Sequence, residues 1–245
     1  MKLVVRGDCT CRRGIVMNRD LFGGRPTLVQ DEKCRTDFLV DHLSIGSLSE
    51  AEVAGVLDLE RMGKSLRHYA AHQIDRNTLD VTDADLVVMD NYADMNFPAW
   101  RHRRTGHKLW IHPGFLKDEE GFRDEFELLG QLTVEESLDN HVKLIEHYRA
   151  RSGPIPVLYL SQVISYYPKL DGRSEFASLG AQLERALPDV YDGRLEGPPE
   201  PDDLGSCGPG NTLHFTGDTY RAMIESAMRK GLDRWLPPIQ AASLS

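Results

Sequence analysis

Leu3-Val4-Val5-Arg6-Gly7-Asp8-Cys9-Thr10-Cys11 is the stretch on which the fold turns. Three apolar β-forming residues run into a Gly-Asp pair, the pattern of a buried strand broken by a turn. In an open α/β sheet the chemistry sits where such strands end. The first side chain past this turn is Cys9, which makes it the candidate nucleophile.

Working outward, short apolar runs alternate with longer helical periodicities, the pattern of βαβ units around a mostly parallel sheet. Residues 2–8 are read as the first strand, and residues 36–46 hold a mixed segment, Asp37-Phe38-Leu39-Val40, and then Leu43-Ser44-Ile45-Gly46-Ser47. A helix start follows at Ser49-Glu50-Ala51-Glu52, and a helix is expected over 60–74. Asp85-Leu86-Val87-Val88-Met89-Asp90, Lys108-Leu109-Trp110-Ile111-His112 and Pro156-Val157-Leu158-Tyr159-Leu160 are the further strands. Thr133-Val134-Glu135-Glu136 opens a strongly helical run to about residue 151. Helices are also expected over 173–187 and 217–230. The fold class is therefore a three-layer α/β/α sandwich with a mostly parallel, flavodoxin-like sheet, in one domain over 1–245. Residues 190–211, dense in Gly and Pro, read as one long loop inside it.

That loop delivers Asn211-Thr212-Leu213-His214-Phe215-Thr216-Gly217 in front of the last helix. With Cys9 these residues compose a Cys/His/Asn set. His214 would take the thiol proton and return it to a leaving group, and Asn211 would orient the ring. A thiol is acidic enough for a neutral orienter to suffice. Arg12 and Arg13 stand close enough in sequence to favour a thiolate.

Gly7-Asp8-Cys9 resembles the Gly-Asp-Ser block of SGNH (GDSL-type) hydrolases, with cysteine at the nucleophile position. Asn211-x-x-His214 is similar to that family's late Asp-x-x-His block, with asparagine replacing aspartate. Together the two blocks cover about a dozen residues. The resemblance implies an acyl-transfer activity on a small-molecule or carrier-bound acyl substrate, with no cofactor. It also implies oxyanion donors: the backbone N–H of Cys9, a glycine N–H after the second strand and an asparagine side chain after the third. Gly46 and Asn91 are the candidates, with Asn96 the second asparagine. The segment around Asn91 lacks the family's Gly-x-Asn-Asp spelling. His112, at an expected strand end, is a candidate substrate contact beside Asn96.

Plainer readings stand beside these. Cys9 could be a small buried residue at a strand end, His214 a core histidine and Asn211 a turn or cap residue. A binding protein that keeps the scaffold without catalysis is the second reading. A thiol metal or redox role for Cys9 and Cys11 is the third, although the one-residue spacer is short for structural zinc and no metal site is expected.

Composition narrows the partners. Lys plus Arg of 29 against Asp plus Glu of 38 gives a net charge of −9, and the basic cluster Arg101-His102-Arg103-Arg104 is short, so nucleic acid is not expected as a partner. Four cysteines in 245 residues form no dense disulfide framework. No apolar run is long enough for a signal peptide or membrane span, from which a cytoplasmic protein without a membrane partner is expected. Oligomeric state is not legible in these features.

Overall fold

The computed structural model describes residues 1–7, 9–31, 35–45, 83–106, 108–111, 119–161, 174–195, 204–205 and 214–238. The expected helices at 49–52 and 60–74 lie outside them. Five parallel strands form the central sheet: β1 (Lys2–Arg6), β2 (Thr27–Asp31), β3 (Leu86–Met89), and two later strands at Val157–Leu160 and Val190–Gly193. Their order across the sheet is second, first, third, fourth, fifth. This doubly wound order reverses direction between β1 and β3, and the crevice beyond the carboxyl ends of those two strands is where such sheets bind ligands.

Between β3 and the fourth strand the chain forms α3 (Tyr92–Asn96), β4 (Ala99–His102), β5 (Lys108–Trp110), α4 (Glu119–Glu125), β6 (Phe126–Gly130) and α5 (Val134–Ser152). The helices α1 (Cys9–Met17) and α2 (Thr36–Ile45) precede them. After α5 come β7 (Val157–Leu160), α6 (Leu179–Ala186), β8 (Val190–Gly193), the antiparallel pair β9 (Leu204–Gly205) and β10 (His214–Phe215), and α7 (Gly217–Arg229).

The strands read as continuous apolar runs because both faces of the sheet are covered. Alternation sends Val4, Val87, Met89, Val157, Tyr159 and Val190 to one face, where they pack with Leu39 of α2, Leu144, Ile145 and Tyr148 of α5, and Leu179 and Leu183 of α6. It sends Leu3, Val5, Leu86, Val88, Leu158, Leu160 and Tyr191 to the other, against Cys11 and Ile15 of α1 and Tyr220, Met223, Ile224 and Ala227 of α7. These are the three layers. Each Leu or Val so buried stabilises by about 1.5–3 kcal/mol relative to exposure.

α5 opens with a capping box: Glu136 N–H donates to Thr133 Oγ1 at 3.2 Å and Thr133 N–H to Glu136 Oε2 at 2.8 Å. Three sequence readings need correction. The Lys108–Trp110 strand exists, but it lies in a separate antiparallel sheet of order β5-β4-β6. That sheet is closed by an aromatic cluster in which Phe122 stacks on Phe126 at 4.4 Å and meets Trp100 edge-on at 5.0 Å. Residues 36–45 form a regular helix rather than a mixed segment. The 190–211 loop begins as β8, a fully buried strand, and contains β9.

The antiparallel sheet is tied to α2 by Arg35. Its guanidinium forks onto Asp37 and donates to the carbonyls of Phe97 at 2.8 Å and Gly130 at 2.7 Å. Burial pushes the Asp37 carboxyl above its ordinary range, against the pull of Arg35. No helix among the described residues is long and apolar enough to cross a membrane.

Candidate functional site

The carboxyl ends of β1 and β3 meet through side chains that the sequence does not advertise. Gly7 follows β1, and Cys9 is the first residue of α1. A Cβ on Gly7 would stand 2.6 Å from Asp90 Oδ2 and 2.7 Å from Cys11 Sγ, so only glycine fits this approach. Cys11, fully buried, donates its thiol hydrogen to Asp90 Oδ2 at 3.1 Å. The other carboxylate oxygen of Asp90 accepts from Tyr92 N–H at 2.9 Å, and Asp90 N–H donates to the Arg6 carbonyl at 3.3 Å. Asp90 thus clamps the β1–α1 turn to the β3–α3 turn, and the backbone of Cys9 is held at the switch point between them.

Of the residues singled out in the sequence, Asp8, Asn211, Gly46 and His112 lie outside the described residues, as do the side chains of Cys9 and His214. Gly46 comes directly after α2, with the second strand already ended at Asp31. The His214 backbone belongs to β10, paired with Gly205, three residues ahead of Gly217 at the start of α7. The cap of α7 is Thr216, whose side chain accepts from Thr219 N–H at 3.2 Å. Asn91 stands at the end of β3, 1% exposed; its Nδ2 donates to the Phe176 carbonyl at 3.3 Å and its Oδ1 has no partner among the described residues. Asn96 donates to the Tyr92 carbonyl at 3.0 Å, a bond within its own helix. Arg101, Arg103 and Arg104 are exposed at the end of β4 and the turn beyond it, in the antiparallel sheet.

A second constellation escaped the sequence reading altogether. Asp94, in α3 and 1% exposed, accepts from Thr36 N–H at 2.8 Å, Thr36 Oγ1 at 2.7 Å and Ser137 Oγ at 2.5 Å. His141, fully buried one turn after Ser137, holds Nδ1 at 2.8 Å from the Ser137 carbonyl, while Nε2 has no partner among the described residues. Its ring meets that of Tyr159 edge-on at 5.5 Å. Tyr159 Oη is likewise buried without a partner among the described residues, and its phenol is pushed well above the ordinary range by burial, then by the charges of Asp90, Asp94 and Asp192. Two residues along, Ser161 Oγ donates to Asp192 Oδ1 at 2.5 Å, and Arg194 pairs with Asp192 Oδ2.

The signal for this layer was available in α5. Its inward stripe Val134, Ser137, His141, Leu144, Ile145, Tyr148 carries two polar residues at helical spacing among apolar ones. A polar atom buried without a partner costs about 1–3 kcal/mol, so such residues are retained only inside a network.

No family model matches the chain, and no curated protein matches it. Among solved structures it is similar to a GDSL-like lipase from Bacteroides thetaiotaomicron VPI-5482, at 13% identity and a TM-score of 0.47 over 96% of this chain and 89% of that one. A lipase from a goat rumen metagenome gives 14% and 0.48 over 96% and 99%, and a putative acylhydrolase from Bacteroides fragilis NCTC 9343 gives 13% and 0.44 over 96% and 88%. With TM-scores below 0.5, these likenesses add no argument about activity. The α/β class rests on this chain's own strand pairing: a parallel five-stranded sheet between two helical layers, with Cys9 opening a helix at its switch point.

Proposed function

We propose that the protein is an acyl-transfer enzyme, a hydrolase or acyltransferase of SGNH type, in which Cys9 is the nucleophile. The observation that carries this reading is the seat of Cys9 at the first residue of α1, on the carboxyl edge of the sheet where β1 and β3 diverge. A helix N-terminus favours the thiolate over the thiol.

In this reading His214 takes the Cys9 proton as sulfur attacks the carbonyl carbon of an ester, thioester or amide. The carbonyl π electrons move to oxygen, and the oxyanion accepts hydrogen bonds from Cys9 N–H, Gly46 N–H and Asn91. Collapse of the tetrahedral intermediate expels the alcohol, thiol or amine, which leaves with the proton from His214. Water or an amine then attacks the acyl-thioester, His214 accepting its proton, and Cys9 is released. Asn211 orients the ring, and Asn96 and His112 face the substrate, which is small or carrier-bound. No cofactor takes part.

Cys9→Ala is expected to abolish turnover on a panel of acyl esters, thioesters and amides. The intact protein, quenched during turnover, is expected to carry one acyl adduct on Cys9 by mass spectrometry. Full turnover by Cys9→Ala would refute the reading. Asn91 favours the alternative, a binding protein on the same scaffold: it is 1% exposed, and one of its two N–H hydrogens is already committed to Phe176. In that case a ligand would bind Cys9→Ala and the intact protein equally.

A further inference from the structure

We propose that Asn91 Oδ1, Tyr159 Oη and His141 Nε2 close around a single internal water site, beneath the carboxyl edge of the sheet on its α2/α5/α6 face. The site goes beyond the proposed activity and does not rest on it.

The placement follows from register. Met89 of β3 pairs with Tyr159 of β7, and Tyr159 pairs with Asp192 of β8, so the three form one row across the sheet. Met89 and Tyr159 point into the same core, with Phe176. Asn91, two residues beyond Met89, donates to the Phe176 carbonyl and so lies on that face as well. His141 reaches the row from α5, its ring 5.5 Å from that of Tyr159. Three polar atoms from three elements are therefore buried, without partners among the described residues, on one side of one row.

Their chemistry selects the occupant. The Ser137 carbonyl can only accept, so the 2.8 Å contact places the hydrogen of His141 on Nδ1 and leaves Nε2 as an acceptor in the neutral ring. Asn91 Oδ1 is also an acceptor, and the Tyr159 hydroxyl is a donor. A molecule with two hydrogens to give and a lone pair to receive one matches this set, and water is the smallest that does. An anion is disfavoured by the carboxylates around Tyr159. Those carboxylates accept elsewhere, Asp94 from Thr36 and Ser137, Asp192 from Ser161 and Arg194, and Asp90 from Cys11 and Tyr92, and Tyr159 Oη donates to none of them. Bound there, the water would hold the Asn91 carbonyl while Nδ2 keeps its hydrogen bond to Phe176.

A crystal structure of the full chain, at a resolution that shows ordered water, tests this. One density peak is expected at about 2.7–3.2 Å from Tyr159 Oη and from at least one of His141 Nε2 and Asn91 Oδ1. A dry site, or Tyr159 Oη bonded directly to His141 or Asn91, would overturn it. Nitrogen-15 NMR of the histidine side chains supplies a second reading: a neutral His141 protonated at Nδ1 is expected, and a doubly protonated ring would remove the acceptor on which the site depends.

Discussion

The two faces of the central sheet are alike over most of its height and differ at its carboxyl edge. On the α1/α7 face the apolar packing runs to the edge, where Cys11 and Asp90 meet beside Gly7. On the α2/α5/α6 face the top of the core is polar, formed by Asn91, Asp94, Ser137, His141, Tyr159, Ser161 and Asp192. A sheet covered on both sides thus separates its tasks by alternation. One face fixes the turn that carries Cys9 through close packing, and the other fixes the turns after β3, β7 and β8 through hydrogen bonds.

The difference can be broken most sharply at Asp94. Asp94→Ala strands three buried donors, and at about 1–3 kcal/mol for each unpaired group a loss of about 3 kcal/mol or more is expected in urea unfolding. A loss under 1 kcal/mol would mean that the polar layer is not what holds α2 and α5 to α3.

Gly7→Ala probes the packed face. The new methyl meets Asp90 Oδ2 and Cys11 Sγ within van der Waals contact, and overpacking of this kind costs about 1–3 kcal/mol. Because the strain falls on the turn that leads to Cys9, alkylation of Cys9 is expected to slow along with the drop in urea midpoint. An unchanged alkylation rate in a destabilised variant would separate the Gly7 contact from the placement of Cys9.

The smallest effect sharpens the comparison through pH. His147 lies on α5 too, one residue from the inward-facing Tyr148. Burial, and then the charge of Arg151, lower its pKa from 6.5. The unfolded chain therefore binds the proton more readily than the folded one. The resulting stability is fully present above pH 6.5 and is lost as pH falls from there through the lowered folded value. His147→Gln is expected to flatten the pH dependence of the urea midpoint in that window, by well under the effect of Asp94→Ala. A profile identical to that of the intact protein would show that His147 does not contribute.

What the sequence made legible follows from the same alternation. β1, β3 and β7 were readable because strands buried on both faces are apolar throughout, and α5 was readable from the helical periodicity that follows Thr133-Val134-Glu135-Glu136. β2 escaped because it is an edge strand with little apolar content, Thr27-Leu28-Val29-Gln30-Asp31. β8 escaped because Asp192, fully buried, looks in sequence like the start of the Gly/Pro-rich segment beyond it. Lys108-Leu109-Trp110 carries the correct local signal for a strand, but which sheet a strand joins is decided by partners distant in sequence. In the site, Gly7 and the end of β3 were legible as turn residues. The roles of Asp90 and Asp94 were not, because a buried polar residue and an exposed one are written with the same letter; that of His141 was signalled only by its spacing on the inward stripe of α5.

The most direct measurement of the Cys9 assignment is the pH dependence of alkylation at each of the four cysteines, followed by mass spectrometry in the intact protein and in His214→Ala. The expected result is that Cys9 reacts fastest, well below the pKa of about 8.5 of a free thiol, and that His214→Ala removes the advantage. If Cys9 reacts no faster than Cys34 and Cys207, or if its rate is indifferent to His214, the thiolate–imidazolium pair is contradicted and with it the nucleophile.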